Sequence, residues 1–231
     1  MTIYFIGAGT GDPELITVKG AKILAKADII FYDALVNNEI FVDINTKCKL
    51  INVGKRCGQP SFSQQQINQL LIQANKDYSI VVRLKGGDPM IFARINEEIN
   101  SLKHNNIQFV IIPGITAATA AAASLALPLT IRGISRGVQF RTLASHDKAD
   151  IGIDSDNDTL VFYMGKNQCE QIYTQLILKN YKLTTNIYLI ENISLKSERH
   201  LKIQLEQLNT SLVKDWISDA PLLVIVESRS L

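Results

Sequence analysis

The sequence predicts an α/β protein of two domains, with a mostly parallel sheet in residues 1–113 and a mixed α+β arrangement in residues 114–231. Three observations carry this. Strand-like and helix-like segments alternate through the first half, the pattern of a parallel sheet covered by helices. Pro113-Gly114 then breaks the alternation and opens a run of small residues, Ile115 to Ala123. Beyond it the chain turns strand-rich with one clear helix, which favours antiparallel pairing.

In order, strands are expected at Thr2–Ile6, Ile29–Tyr32, Leu50–Val53, Ile80–Leu84 and Phe109–Ile112, each a short apolar run bounded by turn residues. Helices are expected at about Thr17–Ala27, Ser63–Asn75 and Asn96–His104. The second is the best marked, because Ser63 with Gln66 three residues later reads as a capping box. The alanine-rich run Ala117–Ala123 reads as a helix with almost no side-chain bulk, so neighbouring backbones can approach closely. Strands follow at Val138–Leu143, Thr159–Tyr163, Asn186–Ile190, Arg199–Gln204 and Leu222–Glu227, with a helix at about Gln168–Asn180.

Composition narrows the class. With 46% hydrophobic and 20% charged residues the 231-residue chain can bury a real core. A net charge of +2 is too mild to argue for nucleic acid. Cys48, Cys57 and Cys169 are widely spaced, which points away from a disulfide framework or a structural zinc site. No His, Cys and carboxylate cluster has metal-ligand spacing, so no metal is expected. The glycines at 7, 9 and 11 interrupt the first apolar run, so no signal peptide is expected, nor any membrane span. The expected location is the cytoplasm.

Two segments place bare backbone beside a carboxylate after a strand: Gly7-Ala8-Gly9-Thr10-Gly11-Asp12-Pro13 and Leu84-Lys85-Gly86-Gly87-Asp88-Pro89. Glycine lets the main chain turn and approach a ligand with no Cβ in the way. The first resembles the dinucleotide fingerprint, but Asp12 stands where the third glycine belongs, and a pyrophosphate does not want an anion there. No Gly-Lys-Ser/Thr follows either, so a Walker loop is excluded. Asp12 and Asp88 suit a ligand with hydroxyls, an amine or a positive charge, and S-adenosylmethionine has all three. Either segment alone reads first as an ordinary Gly/Asp/Pro turn, and it is the presence of two that points to a ligand.

Taken in order, Gly7–Leu15, Tyr32-Asp33-Ala34-Leu35-Val36, Val53-Gly54-Lys55-Arg56, Val82–Pro89, Pro113–Ala118, Pro128-Leu129-Thr130 and Leu160–Gly165 resemble the tetrapyrrole methyltransferases over nearly the whole chain. The likeness is strongest to the branch acting on uroporphyrinogen III. It implies methyl transfer from S-adenosylmethionine to two pyrrole carbons, giving precorrin-2 on the route to sirohaem or cobalamin and leaving S-adenosylhomocysteine. It also implies a homodimer of two-domain subunits, with the cofactor in the cleft between the domains. Later precorrin methyltransferases, diphthine synthase and a non-catalytic S-adenosylmethionine-binding protein are the alternatives.

By the same resemblance Thr10, Gly86, Gly87, Asp88, Ile91, Thr116, Ala117, Met164, Ile193 and Leu222 contact the cofactor, and Asp33 with Lys55 forms an acid/base pair. The family usually carries Pro, Gly and Ala at the positions of Thr10, Ile193 and Leu222. Its Phe-Gly-Arg-Gly-Gly-Glu-Glu reads Phe92-Ala93-Arg94-Ile95-Asn96-Glu97-Glu98 here. The polycarboxylate substrate calls for guanidinium groups, with Arg56, Arg94 and Arg132 first among the candidates and Arg136 and Arg141 behind them. His146 falls where the family has a histidine, whereas His104 and His200 have the polar neighbours of surface residues.

Overall fold

The computed structural model describes residues 1–54, 62–143 and 157–228, and the chain divides into two units, Met1–Ala117 and Ala118–Leu231. In the first, β1 (Thr2–Gly7), β2 (Ile29–Tyr32), β3 (Lys49–Asn52), β4 (Ile80–Lys85) and β5 (Phe109–Ile112) form a parallel sheet in the order β3-β2-β4-β1-β5. The strands begin and end within two residues of the sequence expectation. Apolar character on both faces explains the topology, since a strand buried on both sides needs helices above and below.

Those helices are α1 (Val18–Leu24), α2 (Gln64–Asp77) and α3 (Ile95–His104). Alternate strand residues point to opposite faces. Ile3, Phe5, Ile29, Phe31 and Val81 pack with Ile67 and Leu71 of α2 and with Ile95 and Leu102 of α3. Ile6, Ile30, Val82 and Leu84 pack on the other side with Leu24 and Ala27. The helix starts are set by side chains. Thr17 Oγ1 accepts from Gly20 N (3.1 Å), and the expected capping box is present: Ser63 Oγ accepts from Gln66 N (3.2 Å) while Gln66 Oε1 accepts from Ser63 N (2.7 Å).

At the C-terminal ends of β1, β4 and β5 three backbones meet with no room for side chains. A Cβ on Gly7 would stand 2.6 Å from Gly114 Cα and 2.7 Å from Gly87 O, and one on Gly114 would stand 2.3 Å from Gly87 O. Gly9 and Gly87 exchange main-chain hydrogen bonds (Gly87 N to Gly9 O, 2.6 Å; Gly9 N to Gly87 O, 3.3 Å), which joins the two glycine segments directly. Gly87 has φ +66°, a conformation L side chains rarely adopt.

The second unit holds a mixed sheet. Strands β6 (Val138–Thr142), β7 (Thr159–Tyr163), β8 (Asn186–Glu191), β9 (Arg199–Gln204) and β10 (Leu222–Val226) lie in the order β6-β7-β10-β8-β9. The β6–β7 pair is parallel and the other pairs are antiparallel, so the expected antiparallel content is there alongside one parallel edge. Leu160, Phe162, Leu189, Leu222 and Val224 pack with Ile172 and Leu176 of α5 (Cys169–Leu178). Helix α4 (Ala117–Ser124) starts at the division between the units and buries Ala118, Ala120 and Ala121. The short helix α6 (Ser211–Trp216) has no counterpart in the sequence reading; it buries Val213 alone.

Glu191, at the end of β8, is fully buried and ties three segments together. It accepts from Ser218 N and Oγ (both 2.8 Å) and from Arg199 Nε (2.8 Å), while the Arg199 guanidinium lies 4.4 Å from the Trp216 ring. Burial raises its carboxyl pKa, but the Ser218 and Arg199 hydrogen bonds outweigh that and hold it below the ordinary carboxylate range.

Two stability experiments follow from this packing. Gly114→Ala is expected to lose about 1–3 kcal/mol in urea unfolding, because its Cβ meets a rigid carbonyl. Gly86→Ala, whose Cβ would meet only Leu35 Cβ (3.6 Å) among the described residues, is expected to unfold like the parent, and equal losses in both would show that the junction is not tight. A carboxyl with a depressed folded-state pKa contributes stability that is present above its ordinary value and lost as pH falls through the folded one. Glu191→Gln is therefore expected to flatten the acid limb of unfolding free energy between neutral and about pH 3. Parallel limbs in the two proteins would show that Glu191 titrates alike folded and unfolded.

Candidate functional site

In parallel α/β sheets, ligands bind outside the carboxyl ends of the strands, where the connecting loops converge. In the first unit this edge carries Thr10 and Asp12 after β1, Asp33 after β2, Gly86–Ile91 after β4, and Thr116 and Ala117 after β5. Among the described residues, only Leu35 Cβ lies within 4 Å of a Cβ on Gly86. A Cβ on Gly87 would just touch Ile115 O and Thr116 Cα at 4.0 Å. Gly86, Gly87 and Thr116 thus line an open edge of main chain, and Ile91 is half-buried beside it in sequence.

The two aspartates of the glycine segments work on the backbone. Asp88 Oδ1 accepts from Met90 N (2.7 Å) and Oδ2 accepts from Gly114 N (2.9 Å), so this carboxylate fastens the β4 turn to the segment after β5. Asp12 Oδ1 accepts from Glu14 N (2.9 Å) and caps the turn Pro13–Leu15. Both therefore shape the loops, and the cradle itself is mostly peptide groups.

Asp33 sits at the same edge with its side chain 31% exposed. Its Oδ1 accepts from Arg83 Nη2 at 2.5 Å, and Arg83 is buried. Arg83 shares a strand face with Val81 and Lys85, so both cations point into the layer under α2 and α3. Glu98 of α3 meets them there: Arg83 Nε donates to Oε1 (3.2 Å) and Lys85 Nζ to Oε1 and Oε2 (3.1 and 3.0 Å), with Gln64 Nε2 adding a fourth bond (3.2 Å). Burial and the Arg83 charge pull the Lys85 pKa down, with Glu98 and Asp33 opposing.

The sequence reading singled out Asp33 in this group and missed Arg83, Lys85, Glu98 and Gln64. The available signal was a pair of cations at alternate positions of a strand that is otherwise apolar. Such charges need buried partners.

Gly54 lies against the Asp33 turn: a Cβ there would stand 2.0 Å from Ala34 N. The next residues, Lys55 and Arg56, lie outside the described residues, as does His146. Of the remaining arginines, Arg94 is exposed with φ +52° and makes a two-pronged pair with Glu97 (2.7 and 2.9 Å). Arg132 is exposed in the turn closed by Ile131 and Ser135, Arg136 is exposed beside it, and Arg141 donates to Gln139 Oε1 (2.6 Å).

In the second unit Met164 follows β7 with φ +57° and is half exposed. Ile193 lies between two residues of positive φ, Asn192 (+54°) and Ser194 (+66°), and is 8% exposed; Leu222 is 3% exposed. Their side chains belong to the interior, so only main-chain atoms at these two positions are available to a ligand. Glu191 and Ser218 brace the segments that carry them.

A surface groove of about 250 Å³ in the first unit, lined by Pro13, Leu24, Ile40 and Ile44 among others, contains none of these residues. Glu14, Glu39 and Asp43 also line it, which makes it unsuited to an anion. Among the described residues no group of three or more His, Cys, Asp or Glu is placed to hold a metal ion, and no helix is long and apolar enough to cross a membrane.

Known proteins resemble this chain in sequence and in fold. The uroporphyrinogen-III C-methyltransferase of Methanobacterium ivanovii is 37% identical over all of this chain and 98% of its own length. Siroheme synthase 2 of Serratia proteamaculans is 40% identical over 98% of this chain but 48% of its own, so the chain spans about half the length of the siroheme synthases it matches. The crystal structure of uroporphyrin-III C-methyl transferase from Thermus thermophilus, complexed with S-adenyl homocysteine, superposes with a TM-score of 0.83 at 29% identity, covering 99% of this chain and 98% of that one. A cobalt precorrin-4 methyltransferase has a TM-score of 0.85 at 22% identity over 100% of this chain and 96% of its own, which is a likeness of fold. Residues 2–209 match the tetrapyrrole (corrin/porphyrin) methylases, and the chain belongs to that family.

Proposed function

We propose that the chain transfers methyl groups from S-adenosylmethionine to two pyrrole carbons of uroporphyrinogen III, giving precorrin-2. The observation that carries this is the match to the Methanobacterium ivanovii uroporphyrinogen-III C-methyltransferase, 37% identical over 98% of that protein's length. The later precorrin enzyme and the non-catalytic binder lack a comparable observation.

The residues present fit the cofactor. Among the described residues a Cβ added at Gly86 or Gly87 would meet little of the chain itself, so main chain is open there, and its peptide groups can bond ribose hydroxyls and an ammonium. When bound, the cofactor supplies an electrophilic methyl on a sulfonium. We assign Gly86, Gly87, Asp88, Thr10, Ile91, Thr116 and Ala117 to holding it from the first unit, with Asp88 acting by fixing the loop. From the second unit we assign Met164, through an apolar and polarisable thioether, and the main chain at Ile193 and Leu222.

The pyrrole carbon of a porphyrinogen is already electron-rich, so no protein nucleophile is required. The chain's tasks are to place the macrocycle, keep water out and move its protons. Asp33 and Lys55 are assigned the proton work. Arg132 and Arg56 are assigned to substrate carboxylates, and Arg94 as well once it exchanges Glu97 for one of them. The same reading expects a homodimer in the cytoplasm, after the family's habit; sedimentation of the purified chain tests the first part.

The direct test incubates the protein with S-adenosylmethionine and anaerobically prepared uroporphyrinogen III and follows product mass. A gain of two methyls is expected. No gain, with the cofactor bound, would leave the non-catalytic reading. Asp33→Asn is expected to lower kcat by about 10²-fold or more. Unchanged kcat would remove Asp33 from the proton work.

A further inference from the structure

The buried charges under β4 are arranged as a chain with one end at the site. Lys85 Nζ contacts both oxygens of Glu98, Glu98 Oε1 accepts from Arg83 Nε, and Arg83 Nη2 donates to Asp33 Oδ1. The first three residues are 2% exposed or less. Arg83 Nη1 donates to Leu84 O (3.1 Å), so each guanidinium nitrogen has an acceptor and the plane cannot turn. Asp33 alone reaches solvent, with Oδ1 anchored and, among the described residues, nothing bonded to Oδ2.

Stability does not account for this design. Well-packed apolar residues usually serve a fold as well as a buried ion cluster, whose desolvation consumes most of its Coulombic gain. What the cluster adds is a fixed position for the one carboxylate at its exposed end. A flexible aspartate samples several rotamers, whereas this one is tethered by a planar fork whose other nitrogens are pinned to α3 and to β4 itself. The carboxylate so held sits just after β2, at the strand-end edge that also carries Gly86 and Gly87.

We propose that Arg83 is a positioning residue for the reaction, holding Asp33 through a guanidinium that Glu98, Lys85 and Gln64 lock in place. This rests on the reading of Asp33 as a proton-handling group. Arg83 itself touches neither substrate nor cofactor, and its effect on rate passes through Asp33.

The test compares Arg83→Lys, Asp33→Asn and the double variant in methyl transfer, together with S-adenosylmethionine affinity and thermal unfolding. Lysine keeps the charge but cannot fork between Asp33 and Glu98. Arg83→Lys is expected to lower kcat by about 10–10²-fold, the cost of a misplaced catalytic group, with cofactor affinity and KM little changed. Added to Asp33→Asn, it is expected to cost almost nothing more. Wild-type kcat in Arg83→Lys, or losses that multiply in the double variant, would overturn the proposal while leaving the role of Asp33 intact. Full activity in Asp33→Asn would instead remove the premise and the proposal with it. If Arg83→Lys does not fold, Glu98→Gln, which keeps the side-chain shape, carries the same comparison and is judged by the same rule against Asp33→Asn.

Discussion

The first unit depends on three peptide segments passing closer together than any side chain permits. Gly7, Gly87 and Gly114 meet at the ends of three adjacent strands, and the Gly87 carbonyl occupies the space a Cβ on either neighbour would need. This contact sets where the loops leave the sheet. Asp88 then closes the arrangement by accepting from Gly114 N and Met90 N, so that the β4 turn and the segment after β5 move as one piece. The peptide groups along this edge are thereby oriented by the sheet itself.

The second constraint is electrostatic and comes from the same strand. Helices on both faces of the sheet leave Arg83 and Lys85 no route to water, and Glu98 is the carboxylate that makes their burial tolerable. Removing one partner of such a cluster costs about 3–5 kcal/mol, because the others are left charged and unmatched. Helix α3 is thereby fastened to β4 by charge as well as by Ile95 and Leu102. The second unit repeats the device on a smaller scale, with Glu191 holding Arg199 and the Ser218 turn. In both, a buried glutamate near a strand end orders the loops that carry candidate ligand contacts.

Much of the fold was legible in the sequence because it is written in local signals. Short continuous apolar runs, Ser63 with Gln66, and the Pro113-Gly114 break are each readable within a few residues. Helix α6 was not, since six residues with Val213 alone buried carry no periodicity. The charge cluster was hidden for a different reason. Arg83 looks like the polar end of an apolar run until it is known that α2 and α3 cover its face, and Glu98 is one of two adjacent acids of which only one points inward. The bonds Asp12 and Asp88 make within their own loops were not legible either. Sequence places them beside a ligand edge, but only coordinates reveal that their oxygens are bonded to the loops' own N–H groups.

The open edge at Gly86 and Gly87, which the proposed function gives to the cofactor, consists of peptide groups, so recognition there would be encoded in chain path and not in side-chain identity. Substitutions nearby alter that recognition only if they alter dihedral angles. Leu35 and Met90 carry exposed side chains in the neighbouring segments, and contacts made by main chain would not use them. Such a division leaves one part of the site rigid and the other free to drift, so that a new acceptor molecule can be accommodated while the donor stays the same. A scaffold with that property suits a series of successive reactions sharing a single reagent.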